Sequence, residues 1–285
     1  MTTATSWHLV VPVKGGAGAK SRLHPPPGVG REDLALALAS DCLTACSAGM
    51  PRGRLLVVTS DERAAGVAHH VGAGVVPDPG RGLDAAVDAG VDAVVSAVGP
   101  RGPVAVLLGD LPALREGDLA AALGAAAAYP LAVVPDADGE GTVLLTALEA
   151  HRLAPRFGAG SAARHVAGGH HRLDLDLPRL RTDVDDDTSL AAALRLGVGV
   201  ATAAVLAGTD TLPDMQASVH TFDEEDGSGS ALLDDGREVT FSGEVFAASA
   251  LRHLRVGQRL SFDLSTDREI GKLWIVGIGD DQRIG

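Results

Sequence analysis

The stretch Trp7-His8-Leu9-Val10-Val11-Pro12-Val13-Lys14-Gly15-Gly16-Ala17-Gly18-Ala19-Lys20-Ser21-Arg22-Leu23 runs from a short, mostly apolar segment into a glycine-rich loop. Such a segment reads as a buried strand, and the glycines after it let backbone N–H groups approach phosphates. Lys14, Lys20 and Arg22 would neutralise the phosphate charge, with Gly15, Gly16 and Gly18 supplying the close backbone approach. The spacing is neither G-x-x-x-x-G-K-[ST] nor G-x-G-x-x-G, so a Walker loop and a dinucleotide fingerprint are not supported.

Outward from this strand, short apolar runs alternate with longer amphipathic ones. Residues 7–13, 54–59, 75–76, 104–108 and 131–134 read as strands; residues 31–47, 61–70, 83–97 and 116–128 read as helices between them. That alternation predicts an α/β fold with a mostly parallel sheet and helices on both faces. Past Thr142 the pattern loosens into a strand at 143–145, a helix near 161–166, a strand near 173–177 and a closing helix at 188–196. Residues 207–214 have the Gly, Pro and small polar residues of a connector. Beyond them, five short stretches (217–222, 230–233, 238–241, 259–264 and 273–278) suggest a small all-β barrel. Aromatic residues support the division: three precede Pro213 and five follow it. The expected organisation is a domain at 1–206, a linker at 207–214 and a barrel at 215–285.

Composition narrows the function. The chain has 285 residues and a formal charge of −13, which argues against general nucleic-acid binding, because that affinity rests on many Lys and Arg. The longest uncharged run, residues 119–135, is mostly Ala and falls short of the ~18–20 apolar residues a membrane span needs. No basic, apolar leader precedes the first strand, so the expected location is the cytoplasm. The two cysteines, Cys42 and Cys46, lie four apart in a helical stretch and read as packing residues.

The fourth strand runs into Gly109-Asp110-Leu111-Pro112, which puts a carboxylate at the sheet edge where α/β proteins bind ligands. Asp183-Val184-Asp185-Asp186-Asp187-Thr188 offers alternate carboxylates on one face if its start is extended, with Asp187 or Thr188 capping the last helix. Carboxylates from two places plus nucleotide phosphates suit Mg²⁺, which makes Asp110, Asp183 and Asp185 metal-ligand candidates. Between them lie Gly139-Glu140-Gly141-Thr142 and Pro155-Arg156-Phe157-Gly158-Ala159-Gly160-Ser161-Ala162-Ala163-Arg164-His165. The second reads as a loop feeding a helix, with Ser161 as N-cap and free N–H groups suited to an anion. His69-His70 and His170-His171 read as surface or packing residues.

In this order, PVK…AKSRL, VVTSDE, GDLPAL, GEGTVLL, PRFGAGSAARH and DVDDDTSL resemble the guanylyltransferases of deazaflavin coenzyme F-420 biosynthesis, over nearly all of residues 7–200. The resemblance implies a GT-A-like nucleotidyltransferase sandwich that joins GTP to a small phosphorylated three-carbon acid, phosphoenolpyruvate or 2-phospho-L-lactate, and releases pyrophosphate. It makes Thr142, Gly158 and Ser161 the acceptor contacts, puts Mg²⁺ on Asp110 and Asp183, and sets Lys14, Lys20 and Arg22 on the GTP phosphates. In the segment GLDAAVDAG, Asp84 stands where Asn is usual, at a position that would read the base. Asp186-Asp187 stands where Thr-Pro is common.

Residues 215–279 resemble a cold-shock domain, an OB-type barrel, but Thr221, Ser228 and Ser230 stand where such domains carry stacking aromatics, and Asp226 replaces a basic residue. Without aromatic platforms and a positive groove the barrel is expected to serve packing or homodimer formation rather than nucleic acid. The rival readings are a nucleotidyltransferase with another phosphorylated acceptor and a non-catalytic GTP-binding regulator.

Overall fold

The computed structural model describes residues 5–15, 20, 22–25, 29–207, 212–233, 238–249, 251, 253–264 and 270–275. The chain divides into two compact units, Met1–Ala203 and Ala204–Gly285.

The first unit is built on a seven-stranded sheet of β1 (His8–Pro12), β2 (Leu55–Val58), β3 (Gly74–Val76), β4 (Val104–Leu107), β5 (Leu131–Pro135), β6 (Thr142–Ala147) and β7 (His171–Arg172), in the order β3-β2-β1-β4-β6-β5-β7. Strands β3, β2, β1 and β4 are mutually parallel; β6 runs against both β4 and β5. The expected α/β architecture is what forms. Its cause is visible in β1, whose residues alternate between two apolar layers. Leu9, Val11 and Val13 pack with α1 (Arg31–Gly49), α2 (Glu62–His70) and α4 (Glu116–Ala126), while Val10 packs with α3 (Leu83–Val98) on the other face. A strand covered on both faces must be apolar throughout, which is why β1, β2 and β4 read clearly in the sequence.

Strand order positions the site. The chain steps outward from β1 to β2 and β3, then returns to lay β4 on the other side of β1. Ligands bind in the crevice at the carboxyl ends of the strands where the order reverses, here between β1 and β4. Because β6 is reversed, its first residue, Thr142, arrives at that same edge.

The expected strand near 173–177 is corrected to β7, two residues long. Leu173 still donates its N–H to Val133 O at 2.9 Å. The chain then leaves the sheet, with Leu173, Leu175 and Leu177 packed on the first apolar layer and Asp174 and Asp176 exposed. A coil lying one side down on a core has the same two-residue period as a strand, so alternation alone did not separate them. The short helices α6 (Pro178–Arg181) and α8 (Val200–Leu206) were not expected. Between them, α7 (Asp187–Leu196) is the closing helix. The start of α8 is capped from a distance: the buried Asp41 carboxylate on α1 accepts the N–H groups of Ala201 and Thr202, each at 2.9 Å.

The second unit is an antiparallel five-stranded sheet of β8 (Leu212–Phe222), β9 (Gly229–Leu233), β10 (Glu238–Phe241), β11 (Arg259–Leu264) and β12 (Ile270–Ile275), ordered β10-β9-β8-β11-β12. Phe241, Leu260, Phe262 and neighbouring aliphatics form its own apolar core. A short helix, α9 (Gly243–Ala248), joins the third and fourth of these strands. Residues 208–211 of the expected connector, and 276–278 of the expected last strand, lie outside the described residues. Among the described residues, no helix is long and apolar enough to cross a membrane.

Candidate active site

A cavity of about 840 Å³ opens at the β1/β4 edge. Lys14, Lys20 and Arg22 reach it from the loop after β1, Asp110 from the end of β4, Asp183 and Asp185 from the segment before α7, and Thr142, Gly158 and Ser161 from β6 and the loop before helix α5 (Ser161–Ala167). Nine expected site residues therefore meet in one crevice.

Of the three glycines expected to cradle phosphate, Gly16 and Gly18 lie outside the described residues. Gly15 faces a small recess beside Asp61 rather than the main cavity. A Cβ on Gly15 would fall 2.1 Å from Asp61 Oδ2. Asp61 is the N-cap of α2, its Oδ1 accepting the Ala64 N–H at 2.9 Å. Gly15→Ala is therefore expected to push Asp61 off its cap and destabilise the fold by about 1–2 kcal/mol. A lower urea midpoint at unchanged slope is the measurement that checks it.

Asp110, Asp183 and Asp185 each present an oxygen within 4.8 Å of the others. The backbone joins the two segments, Val184 N–H donating to Asp110 O at 3.1 Å. Asp110 Oδ1 is buried and has no hydrogen-bond partner among the described residues. Burial, with the charges of Asp110 and Asp185 added, pushes the Asp183 carboxyl up to about 7. A crowded set of hard oxygens with one buried acceptor left over is suited to a divalent cation of the Mg²⁺ or Mn²⁺ kind. Lys20 Nζ donates to Asp110 Oδ2 and to Asp185 Oδ1, the latter at 2.9 Å, and Arg22 reaches Asp185 Oδ2 at 3.1 Å. Burial works against the Lys20 ammonium, but the two carboxylates outweigh it and hold the group well above the ordinary lysine range.

Two expectations about capping are corrected. The N-cap of α7 is Asp186, which accepts the Ser189 N–H at 2.9 Å; Asp187 instead holds His24, through its backbone N–H at 2.7 Å and its ring Nδ1 at 3.1 Å. Ser161 is the first residue of α5 and not its cap, which is Gly160. Its hydroxyl donates to Thr142 Oγ1 at 3.1 Å. The N–H groups of Ser161 and Ala162 are committed to Gly158 O and Glu140 O, each at 3.0 Å, so the helix start does not offer them to an anion.

Gly158 and Gly160 have φ of +106° and +70°, a conformation that glycine adopts without penalty, and this folds the loop back onto α5. There Arg164 binds the Arg156 and Phe157 carbonyls at 3.0 and 2.9 Å and also reaches Ala159 O. Asp84, expected at the base, is not on the cavity wall; its Oδ1 accepts the Phe157 N–H at 2.8 Å. An asparagine oxygen would accept the same N–H, which explains how Asp stands there in place of Asn.

His165, given no role from the sequence, is fully buried beneath Thr142 and Ser161. Its signal was local, since Ser161 and His165 lie four apart and share one helix face. Burial, reinforced by His170, Arg164 and Arg156, pushes the His165 imidazole down to about 4. Unfolded, the ring titrates near ~6.5, so the unfolded chain binds the extra proton first. The folded state should keep this contribution above pH ~6.5 and lose about 2 kcal/mol of it by pH 5. Urea midpoints at pH 7.5 and pH 5, compared with those of His165→Gln, check this: the fall should be smaller in the variant.

Residues 7–181 match the family described as guanylyl transferase CofC like. The chain belongs to that family. CofC-like relatives include a phosphoenolpyruvate guanylyltransferase of Streptomyces coelicolor, 51% identical over 204 residues that span 70% of this chain and 96% of that protein. Proteins of the same name from Streptomyces scabiei (48% identical, 70% of this chain and 96% of that one) and Geodermatophilus obscurus (46%, 73% and 97%) are similar. As a CofC-like protein the chain is a nucleotidyltransferase, and the crevice at the β1/β4 edge is its candidate active site.

Proposed function

We propose that the protein transfers GMP from GTP to phosphoenolpyruvate with release of pyrophosphate, a step in making the F-420 coenzyme, in the cytoplasm and with Mg²⁺ as the cation. The observation that carries this reading is that a cationic loop, a hydroxyl-bearing wall and three clustered carboxylates line one crevice. The names of the relatives support the choice of acid.

An acceptor phosphate with its second pKa near ~6 is largely dianionic at neutral pH, so one of its oxygens attacks the α-phosphorus without a dedicated base. The new O–P bond forms as the bond from the α-phosphorus to the bridging oxygen breaks, and pyrophosphate leaves with that electron pair. Two anions must be held in line against their repulsion, which is a positioning and electrostatic task. Lys14, Lys20 and Arg22 offset charge on the triphosphate, while Thr142, Gly158 and Ser161 hold the acceptor. A divalent cation on Asp110, Asp183 and Asp185 would supply further neutralisation of phosphate charge when bound.

The second unit we read as a cold-shock-like OB barrel serving packing or homodimer formation. Thr221 and Ser230, standing at expected platform positions, bond to each other at 2.7 Å. Salt-sensitive capture of single-stranded RNA would overturn that part.

The test is pyrophosphate release by the purified protein with GTP and Mg²⁺, comparing phosphoenolpyruvate, 2-phospho-L-lactate and no acceptor. Release that depends on phosphoenolpyruvate is expected; none with either acid, or release without an acceptor, overturns the reading.

A further inference from the structure

We propose that His165 is a positioning residue for the acceptor acid, which fixes the Thr142 hydroxyl proton toward the cavity by occupying one of the hydroxyl's two lone pairs. The inference rests on the functional reading above. It follows from which partners can only donate. The backbone N–H of Arg156 points at His165 Nε2 at 2.9 Å, so Nε2 must carry the lone pair. A neutral imidazole then bears its one N–H on Nδ1, which faces Thr142 Oγ1 at 2.9 Å and donates to it. Ser161 Oγ–H donates to the same oxygen at 3.1 Å. Thr142 Oγ1 now has both lone pairs taken, and its own proton has no acceptor left in this triad.

Thr142 is 3% exposed and Ser161 1%, and both line the cavity, which leaves a ligand oxygen in that cavity as the acceptor for the free O–H. A hydroxyl that can rotate offers an anion either a lone pair or a proton. One with its lone pairs filled offers only the proton, which suits a phosphate or carboxylate and repels other donors. The low proton affinity of His165 in its buried setting keeps the ring neutral at pH 7. A protonated ring would set two donors, Nε2–H and Arg156 N–H, against each other.

Two substitutions separate the ring's two bonds. Asn can place an N–H where Nδ1 stands, whereas Gln reaches the Nε2 position and leaves Thr142 without its donor. His165→Gln is expected to raise the KM for phosphoenolpyruvate roughly 10–100-fold with the KM for GTP within about twofold. His165→Asn should stay within a few-fold of the parent for both. A merely structural role predicts equal effects from the two variants, or a fall in kcat with both KM values unchanged, and either result overturns the proposal. If Gln does not fold at this position, Thr142→Val, which removes the hydroxyl at constant shape, takes its place and should raise the same KM.

Calorimetric titration of the unmodified protein with phosphoenolpyruvate, together with nitrogen-15 NMR of the histidines, separates this proposal from the reaction itself. Silence in the pyrophosphate assay with the acid still bound, and with His165 as the Nδ1–H tautomer, rejects the reaction and retains the positioning role. No binding of the acid, or the Nε2–H tautomer, overturns the positioning role whatever the assay shows.

Discussion

Asp110→Asn is expected to lower pyrophosphate release at least ~100-fold while the protein stays folded, the scale of losing one preorganised electrostatic group. The substitution keeps size and shape, and the link from Val184 N–H to Asp110 O is made by the backbone and survives it. What disappears is the charge on the one carboxylate that combines a buried, unpartnered Oδ1 with a place in the acidic cluster. Removing it also relieves repulsion on Asp183, whose carboxyl the Asp110 charge helps to push up. The Lys20 ammonium loses one of its two carboxylate partners at the same time, which opposes that relief, so the melting temperature should stay near the parent's as turnover collapses. Near-normal turnover in the variant rejects the cation role of Asp110.

Lys20→Met is the second large effect, and its two readouts move in opposite directions. Turnover should fall at least ~100-fold, because a cation facing the developing phosphate charge is lost. Binding of Mn²⁺ to the nucleotide-free protein should tighten by roughly tenfold, because the ammonium competes for the same carboxylate oxygens. Lys20 bridges Asp110 and Asp185 across the cluster, so its positive charge opposes a cation held by the same carboxylates. Electron paramagnetic resonance titration with Mn²⁺ measures the second readout. A variant that was merely misfolded would lose both, and weaker Mn²⁺ binding by a folded variant rejects the competition.

The sequence was most legible where burial is two-sided and contacts are local. Strands β1, β2 and β4 and the helices that cover them stand out because a strand covered on both faces leaves no polar positions. The carboxylate at Asp110 was legible because strand ends in such folds meet at one edge, and that at Asp183 because it alternates with Asp185. What escaped notice depends on distant partners. Nothing near residue 84 says that its carboxylate will hold the backbone of Phe157, and nothing near residue 201 says that Asp41 will start a helix there. The LDLDL stretch misled because one-sided packing and strand pleating share a period. Ser161 illustrates a subtler failure: serine at a helix start usually caps it, but here the left-handed Gly160 takes the cap and frees the hydroxyl for Thr142.

The Asp41 cap on α8 also bears on how such genes change over time. The first unit ends at an address written inside its own first helix: Asp41 fixes where the chain turns into α8. The stretch that matches the CofC-like family stops at residue 181, well ahead of the second sheet. A recombination event just past residue 206 would leave that address and the whole family-matching stretch in place. In the laboratory the same address is a natural place to splice in a reporter or an affinity handle.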